Sequence, residues 1–204
     1  MRADLRMVAS GDKRIGSRGT RVVHLRRATV MHLRRAARAD LALLTSWNTK
    51  PHVVAATGED GAFDWDGELG RDPPWRELLI AEVDERAIGV MQIIDPAEEE
   101  THYWGEIERG LRAIDIWIGE ECDLGRGYGT EMMRLALARC FAEASVGAVL
   151  VDPLAGNSGA CRFYEQLGFQ PVCRRTFGTD NCIVYRLDRL AWQQDAGDVQ
   201  KGAR

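Results

Sequence analysis

The chain has 204 residues, 45% of them hydrophobic and 28% charged, with 27 basic against 31 acidic side chains. That is enough for one compact domain of ordinary globular composition. No apolar run approaches the roughly 18 residues of a membrane helix. Charge is uneven: residues 1–27 carry eight Lys/Arg and two Asp, net +6, whereas the rest carries 19 basic and 29 acidic side chains, net −10. An acidic body disfavours nucleic acid as a partner and favours a cationic ligand; plain solubility is the competing explanation.

The basic leader, 1–27, has no apolar stretch of signal-peptide type and is expected to be a disordered arm. Five scattered cysteines, Cys122, Cys140, Cys161, Cys173 and Cys182, form no C-x-x-C pair. They suit a reduced, cytoplasmic chain that uses them as small core residues. The four histidines show no metal-ligand spacing, so no metal is expected.

In chain order, Ala28–Leu33 is β-rich and predicts a first strand. Ala39–Trp47 has helical apolar spacing, with Asp40 as candidate cap. Residues 48–76, rich in Gly, Pro, Asp and Trp, predict an irregular segment with one short helix. Leu78–Val83 and Ile88–Ile94 predict a hairpin. An acidic, aromatic loop follows, "DPAEEETHYWGEIER", then a strand over Ala113–Gly119. The sequence "EECDLGRGYGTEMMRLALAR" leads into a helix from about Tyr128 to Ala144. Ala148–Val151 is a short strand, Ser158–Leu167 a helix closed by Gly168, and Val172–Phe177 with Cys182–Leu187 a last hairpin about "GTDN". The class is mixed α/β, with one domain over 28–192 and a polar tail over 193–204.

Three alternating glycines, Gly125, Gly127 and Gly129, precede that long helix. Glycine there permits either a tight turn or the close approach of a ligand to bare backbone. A glycine turn at a helix N-terminus is an anion site, because free amides and the helix dipole both favour negative charge. Arg126 and Thr130 add polar groups. The loop lacks the Gly-Lys-Ser/Thr of a Walker A motif, and a dinucleotide fingerprint would need glycine where Thr130 stands. Dinucleotide binding remains a competitor. A second segment, "DPLAGNSGACRFYEQLGF", spaces its residues N-x-x-A-x-x-x-Y-x-x-x-G-F. Asn157 is placed to cap the helix; Tyr164 shares a face with Ala160, either as a core residue or with its hydroxyl at a site.

Together the two motifs resemble the GNAT superfamily of N-acetyltransferases, over residues 28–190 and most strongly over 113–169. The resemblance implies a central, mostly antiparallel mixed sheet flanked by helices. It places acetyl-CoA, the cosubstrate, in a cleft between two splayed parallel strands. It also implies that Leu124, Gly125, Arg126, Gly127, Tyr128, Gly129 and Thr130 cradle the CoA pyrophosphate. Ile116, Trp117 and Ile118 would pair with the pantetheine arm, and Asn157 would lie beside the thioester. The family loop often opens with Gln or Arg at the position of Leu124, so contact here would come from backbone and Arg126.

Within the superfamily the chain is most similar to aminoglycoside 6'-N-acetyltransferases. "LGRGYGT" matches their L-G-K-G-x-G-T, and "VDP…N…A…FYEQLGF" resembles their T-D-P…N…A…CYEKAGF. Acyltransferases of siderophore assembly and of protein N-terminal acetylation share much of the pattern. A non-catalytic acyl-CoA sensor would keep the glycine loop without needing the polar residues.

By the resemblance, Tyr164 is the general acid for the leaving thiolate and Asp115 the base. Asp115 interrupts an apolar strand; it either anchors and deprotonates an ammonium or pairs with an arginine such as Arg112. For a polycationic substrate the further candidates are Asp152, Asp180, Glu106 and Glu108, with Tyr103 and Trp104 stacking on a sugar. The expected partner is a cationic small molecule, with neither nucleic acid nor membrane, for a monomer or homodimer.

Overall fold

The computed structural model describes residues 30–57 and 63–194. The leader, the first two residues of the expected first strand and most of the polar tail lie outside the described residues. Seven strands form one sheet: β1 (Met31–Arg35), β2 (Arg76–Val83), β3 (Arg86–Ile94), β4 (Leu111–Ile118), β5 (Ala148–Val151), β6 (Gln170–Phe177) and β7 (Asp180–Asp188). Their spatial order is β1-β2-β3-β4-β5-β7-β6. All neighbours are antiparallel except β4 and β5. The helices are α1 (Leu41–Asn48), α2 (Pro51–Thr57), α3 (Trp65–Glu68), α4 (Tyr128–Ala142) and α5 (Ser158–Gln166).

Alternation along β4 decides how its two faces are covered. Ile114 and Ile118 join Met132, Met133, Ala136, Leu137 and Phe169 in the larger core under α4 and α5. Trp117 points the other way, into a core with Leu44, Trp47, Val53, Trp65, Ile80 and Val90 under α1–α3. Each such buried side chain contributes roughly 1.5–3 kcal/mol. Trp47 lies across the end of β4, where a Cβ on Gly119 would come within 1.9 Å of its ring. Only glycine permits that crossing.

The parallel pair holds the functional feature. β4 and β5 stay in register for three residue pairs, Leu111 with Ala148, Arg112 with Val149 and Ala113 with Leu150. Beyond them β5 ends while β4 runs on to Ile118, so the sheet splays and one edge of β4 is left open. This is the V-shaped opening expected from the resemblance.

Several local expectations are corrected. Residues 48–76 hold two helices rather than one, α2 and α3. Asp40 does not cap α1 with its side chain; its carboxylate accepts from Arg34 at 2.7 Å and from the Ala37 amide at 2.8 Å. The long-range ion pair outcompetes the local cap. The last hairpin turns at Gly178 and Thr179, with Gly178 at φ 53°, and β7 already begins at Asp180. The first described strand starts at Met31 and runs to Arg35 because its register is set against Leu79–Val83 of β2.

Candidate active site

The glycine loop folds as an open cradle. Gly127 is the N-cap residue of α4 in the left-handed region, φ 81°, and Gly125 has φ 70°. Nothing lies within 4 Å of a Cβ built at either position. Their backbone is therefore bare toward solvent, and the first-turn amides of α4 have no intrahelical acceptor. Gly129 differs. It has no positive φ, and its Cβ would touch the Phe163 ring at 3.5 Å, so it serves the packing of α4 on α5. Below the loop, Asp123 is 1% exposed and accepts from Arg86 at 2.5 and 3.0 Å. The Arg86 guanidinium holds that carboxyl below the usual carboxylate range. Arg126 stands 3.9 Å from Asp123 with over half its side chain exposed, and Leu124 and Thr130 are exposed beside it. A diphosphate fits this arrangement: amides, a helix N-terminus and one free-reaching cation converge on open space.

Past the splay, a cleft of about 380 Å³ is lined by β3, β4, the 95–110 loop and the segment after β5. Asp115 on β4 lies deep in it, and its carboxylate accepts from the Gln92 side-chain amide at 3.2 Å. It does not pair with Arg112, which instead donates to Asp95 at 2.8 Å and Glu143 at 2.7 Å. Asp152, just after β5, accepts from the Tyr103 hydroxyl at 2.8 Å. Tyr164 on α5 is buried at the cleft wall, and Asp180 also lines the cleft. Eight residues called from sequence, Tyr103, Trp104, Asp115, Ile116, Trp117, Asp152, Tyr164 and Asp180, thus line one cavity although up to 77 positions separate them.

Several of these residues, and the candidates outside the cavity, also make structural contacts. Tyr103 is exposed but already stacked on Phe177, ring centroids 4.3 Å apart. Trp104 is 4% exposed, packed edge-on against both rings, and its carbonyl accepts from Arg175 at 2.7 Å. The small surface that remains lines the cleft. The Asn157 side-chain oxygen caps α5 through the Ala160 amide at 3.0 Å. The side chains of Trp117 and Ile118 are buried in the two cores, which leaves their backbone at the open edge of β4. Ile116 is half-buried against the larger core. Glu108 pairs with Arg186 at 2.8 Å, and Glu106 does not line the cleft.

The cleft contains six acidic side chains, Glu68, Glu99, Glu100, Asp115, Asp152 and Asp180, and two basic ones, Arg71 and Arg76. Both arginines are spent, Arg71 on Glu100 at 2.5 Å and Arg76 on Glu68. Glu99 is spent on the Thr101 and Tyr103 amides and the Thr101 hydroxyl, at 2.8 to 2.9 Å. Asp115, Asp152 and Asp180 remain as acceptors for a cation. Burial raises Asp115 above the carboxylate range, and the Gln92 amide partly offsets this. Burial raises Asp152 likewise, helped by the charge of Asp115. The two titrate as a pair. Tyr164 is pushed well above the usual tyrosine value, by burial first and then by Asp115 and Asp152.

Sequence reasoning missed Gln92, Arg76 and Phe177. Gln92 had a visible signal, a lone amide in the apolar run "IGVMQII". Phe177 and Arg76 had none, since an aromatic or a charge at a strand end is unremarkable until its neighbours are known. Among the described residues, no cluster of three or more His, Cys, Asp and Glu could hold a metal ion, and no helix is long and apolar enough to cross a membrane.

Comparison with known proteins agrees with this geometry. The acetyltransferase (GNAT) domain family matches residues 36–177. Aminoglycoside N(6')-acetyltransferase type 1 of Klebsiella pneumoniae is 27% identical over 139 residues, covering 64% of this chain and 69% of that protein. A kanamycin resistance protein of Rhizobium radiobacter is 33% identical over 102 residues, 50% of this chain and 94% of that one. Among solved structures, the aminoglycoside acetyltransferase AAC(6')-Ib in complex with coenzyme A superposes with a TM-score of 0.71 at 25% identity, covering 81% of this chain and 98% of that chain. The same enzyme with ribostamycin and coenzyme A gives 0.72 at 25% identity, covering 80% and 96%. The family match, the splayed parallel pair and the open glycine cradle lead to one conclusion: this chain belongs to the GNAT family of acetyltransferases, and acetyl-CoA is its cosubstrate.

Proposed function

We propose that the protein transfers acetyl from acetyl-CoA to a primary amine of an aminoglycoside, with the 6'-amine as acceptor. The observation that carries this reading is the set of three carboxylates in one cleft at the splay, Asp115, Asp152 and Asp180, that no cation among the described residues pairs and that accept at most one side-chain hydrogen bond each. A polycation with several ammonium groups matches them; a single-amine substrate leaves two without a counter-charge. The names and bound ligands of the relatives support the same class.

The residues divide the work by charge. The loop amides at 125–130, with Arg126, hold the diphosphate, and the open edge of β4 aligns the pantetheine. An ammonium entering the cleft is drawn to Asp115 and Asp152. Asp115, raised by burial, takes one proton, directly or through water, and leaves the amine neutral. The amine nitrogen then forms the new C–N bond at the thioester carbonyl, and the C–S bond breaks. The sulfur takes a proton from Tyr164, and the second proton shed by the acylated nitrogen restores the Tyr164 hydroxyl, directly or through water. At rest Tyr164 is a reluctant acid, because burial, and then the charges of Asp115 and Asp152, oppose its ionisation. Once Asp115 carries the amine's proton that opposition weakens. The acid is thereby strengthened at the step that needs it.

The test is thiol release from acetyl-CoA against a panel of amines. Turnover on aminoglycosides with a 6'-amine, and none on those with a 6'-hydroxyl, is the expected pattern. Turnover only on lysine-derived amines or peptide N-termini would replace the substrate; none on any amine, with CoA still bound, would leave a sensor.

A further inference from the structure

We propose that Arg76 is a positioning residue for Asp115: held by Glu68, it locks the side-chain amide of Gln92 so that the NH2 group, and never the carbonyl, faces the Asp115 carboxylate. This rests on the reading of Asp115 as the base.

The argument begins with an ambiguity in glutamine. Its amide presents a donor on one side and an acceptor on the other, and a flip exchanges them. Against a carboxylate the two orientations have opposite consequences. The NH2 stabilises the anion, whereas the carbonyl stabilises only the protonated acid, by accepting its O–H. Gln92 is 3% exposed, so water does not settle the choice. Arg76 does. A guanidinium has donors and no acceptor, so the amide edge that meets it must be the oxygen. Arg76 Nη1 lies 3.4 Å from Gln92 Oε1, and Gln92 Nε2 lies 3.2 Å from Asp115 Oδ2.

Arg76 is itself fixed. It is 7% exposed, its guanidinium pairs with the Glu68 carboxylate, and it donates to the Glu68 carbonyl at 3.3 Å. The Trp75 ring lies 5.5 Å from its Cζ. A chain of contacts therefore runs from α3 through β2 and β3 to β4, ending on the carboxylate. Its other end matters for the sign of the effect. The charged or titratable groups around Asp115 are Asp152 after β5, Tyr103 from the 95–110 loop, Tyr164 from α5 and, in the same cavity, Asp180 and Cys182 of β7, with Arg76 and Glu68 behind Gln92. None of the groups that line the cleft beside Asp115 is an unspent cation. The oriented amide is then the feature that keeps a deeply placed carboxylate able to ionise near neutral pH.

Replacing Arg76 with methionine frees Gln92 to flip, and the ionisation of Asp115 moves to higher pH by about one unit. Two readouts are available. The acid limb of kcat/KM moves up, and so does the 13C carboxyl titration of Asp115, its resonance assigned by loss in Asp115→Asn. The decisive comparison is Gln92→Leu. In that background Arg76 has no route to Asp115, so Arg76→Met adds no further shift; the two effects are not additive. Arg76→Lys, which keeps the charge near Glu68, covers the case in which the methionine variant does not fold, and is expected to shift partway. An unchanged Asp115 titration in Arg76→Met or Arg76→Lys, or equal Arg76 shifts with and without Gln92, would overturn the proposal. If Asp115→Asn keeps full activity, the reading of Asp115 as base fails instead, while the carboxyl titration still tests the relay.

Discussion

Gly127→Ala separates a glycine that makes a turn from one that admits a ligand. The native backbone has φ 81°, where an alanine costs about 1–2 kcal/mol. No neighbour lies within 4 Å of the added methyl, so no steric cost is added. In a chain of this size that corresponds to a melting point lower by about 2–8 °C. If the loop were only a turn, this would be the whole effect. If its amides grip a diphosphate, the methyl stands where a phosphate oxygen must approach. Losing one charge-assisted hydrogen bond costs about 1.5–3 kcal/mol, so CoA affinity falls roughly 10- to 100-fold. The assay is calorimetric titration with CoA, paired with thermal melts in its absence and presence. Gly129→Ala is the control, because that residue has no positive φ and its Cβ would meet only the Phe163 ring at 3.5 Å. Gly127→Ala with CoA affinity within about twofold of wild type, despite the lowered melting point, would refute the cradle.

Asp152→Asn removes a charge that opposes ionisation of Asp115, so the acid limb of kcat/KM moves to lower pH in a rate profile. The same variant tests linkage. A carboxylate whose pKa is raised on folding stabilises the native state at low pH and costs stability as pH rises through the folded value. The ligand-free Asp152→Asn protein therefore gains melting temperature progressively as pH rises from about 4 toward the folded value of about 7, and little below about pH 4, as read by melts at several pH values. Tyr164→Phe keeps CoA binding but lowers kcat about 100- to 10,000-fold; an unchanged kcat would remove Tyr164 from proton transfer. Gly119→Ala drives a methyl into the Trp47 ring and destabilises by about 1–3 kcal/mol or more; a melt indistinguishable from wild type would contradict the packing of α1 on β4.

Local physics made much of the fold legible. Short apolar runs marked β2 through β4, the glycine loop marked the start of α4, and Asn157 marked the start of α5, because strand propensity, backbone freedom and capping act within a few residues. The same motifs were enough to suggest the family. What local physics could not show was which charges cancel. Six acids and two arginines meet in the cleft from segments far apart, and only their pairing leaves Asp115, Asp152 and Asp180 unspent. Trp104 looks like a free stacking platform in sequence, but Phe177 from a distant hairpin packs edge-on against it, so it meets the cleft from within a small core. Asp40 has the pattern of a cap and is taken by Arg34. Electrostatics and burial depend on distances that the chain's order does not encode, so the tertiary structure alone decided which polar groups are free to act.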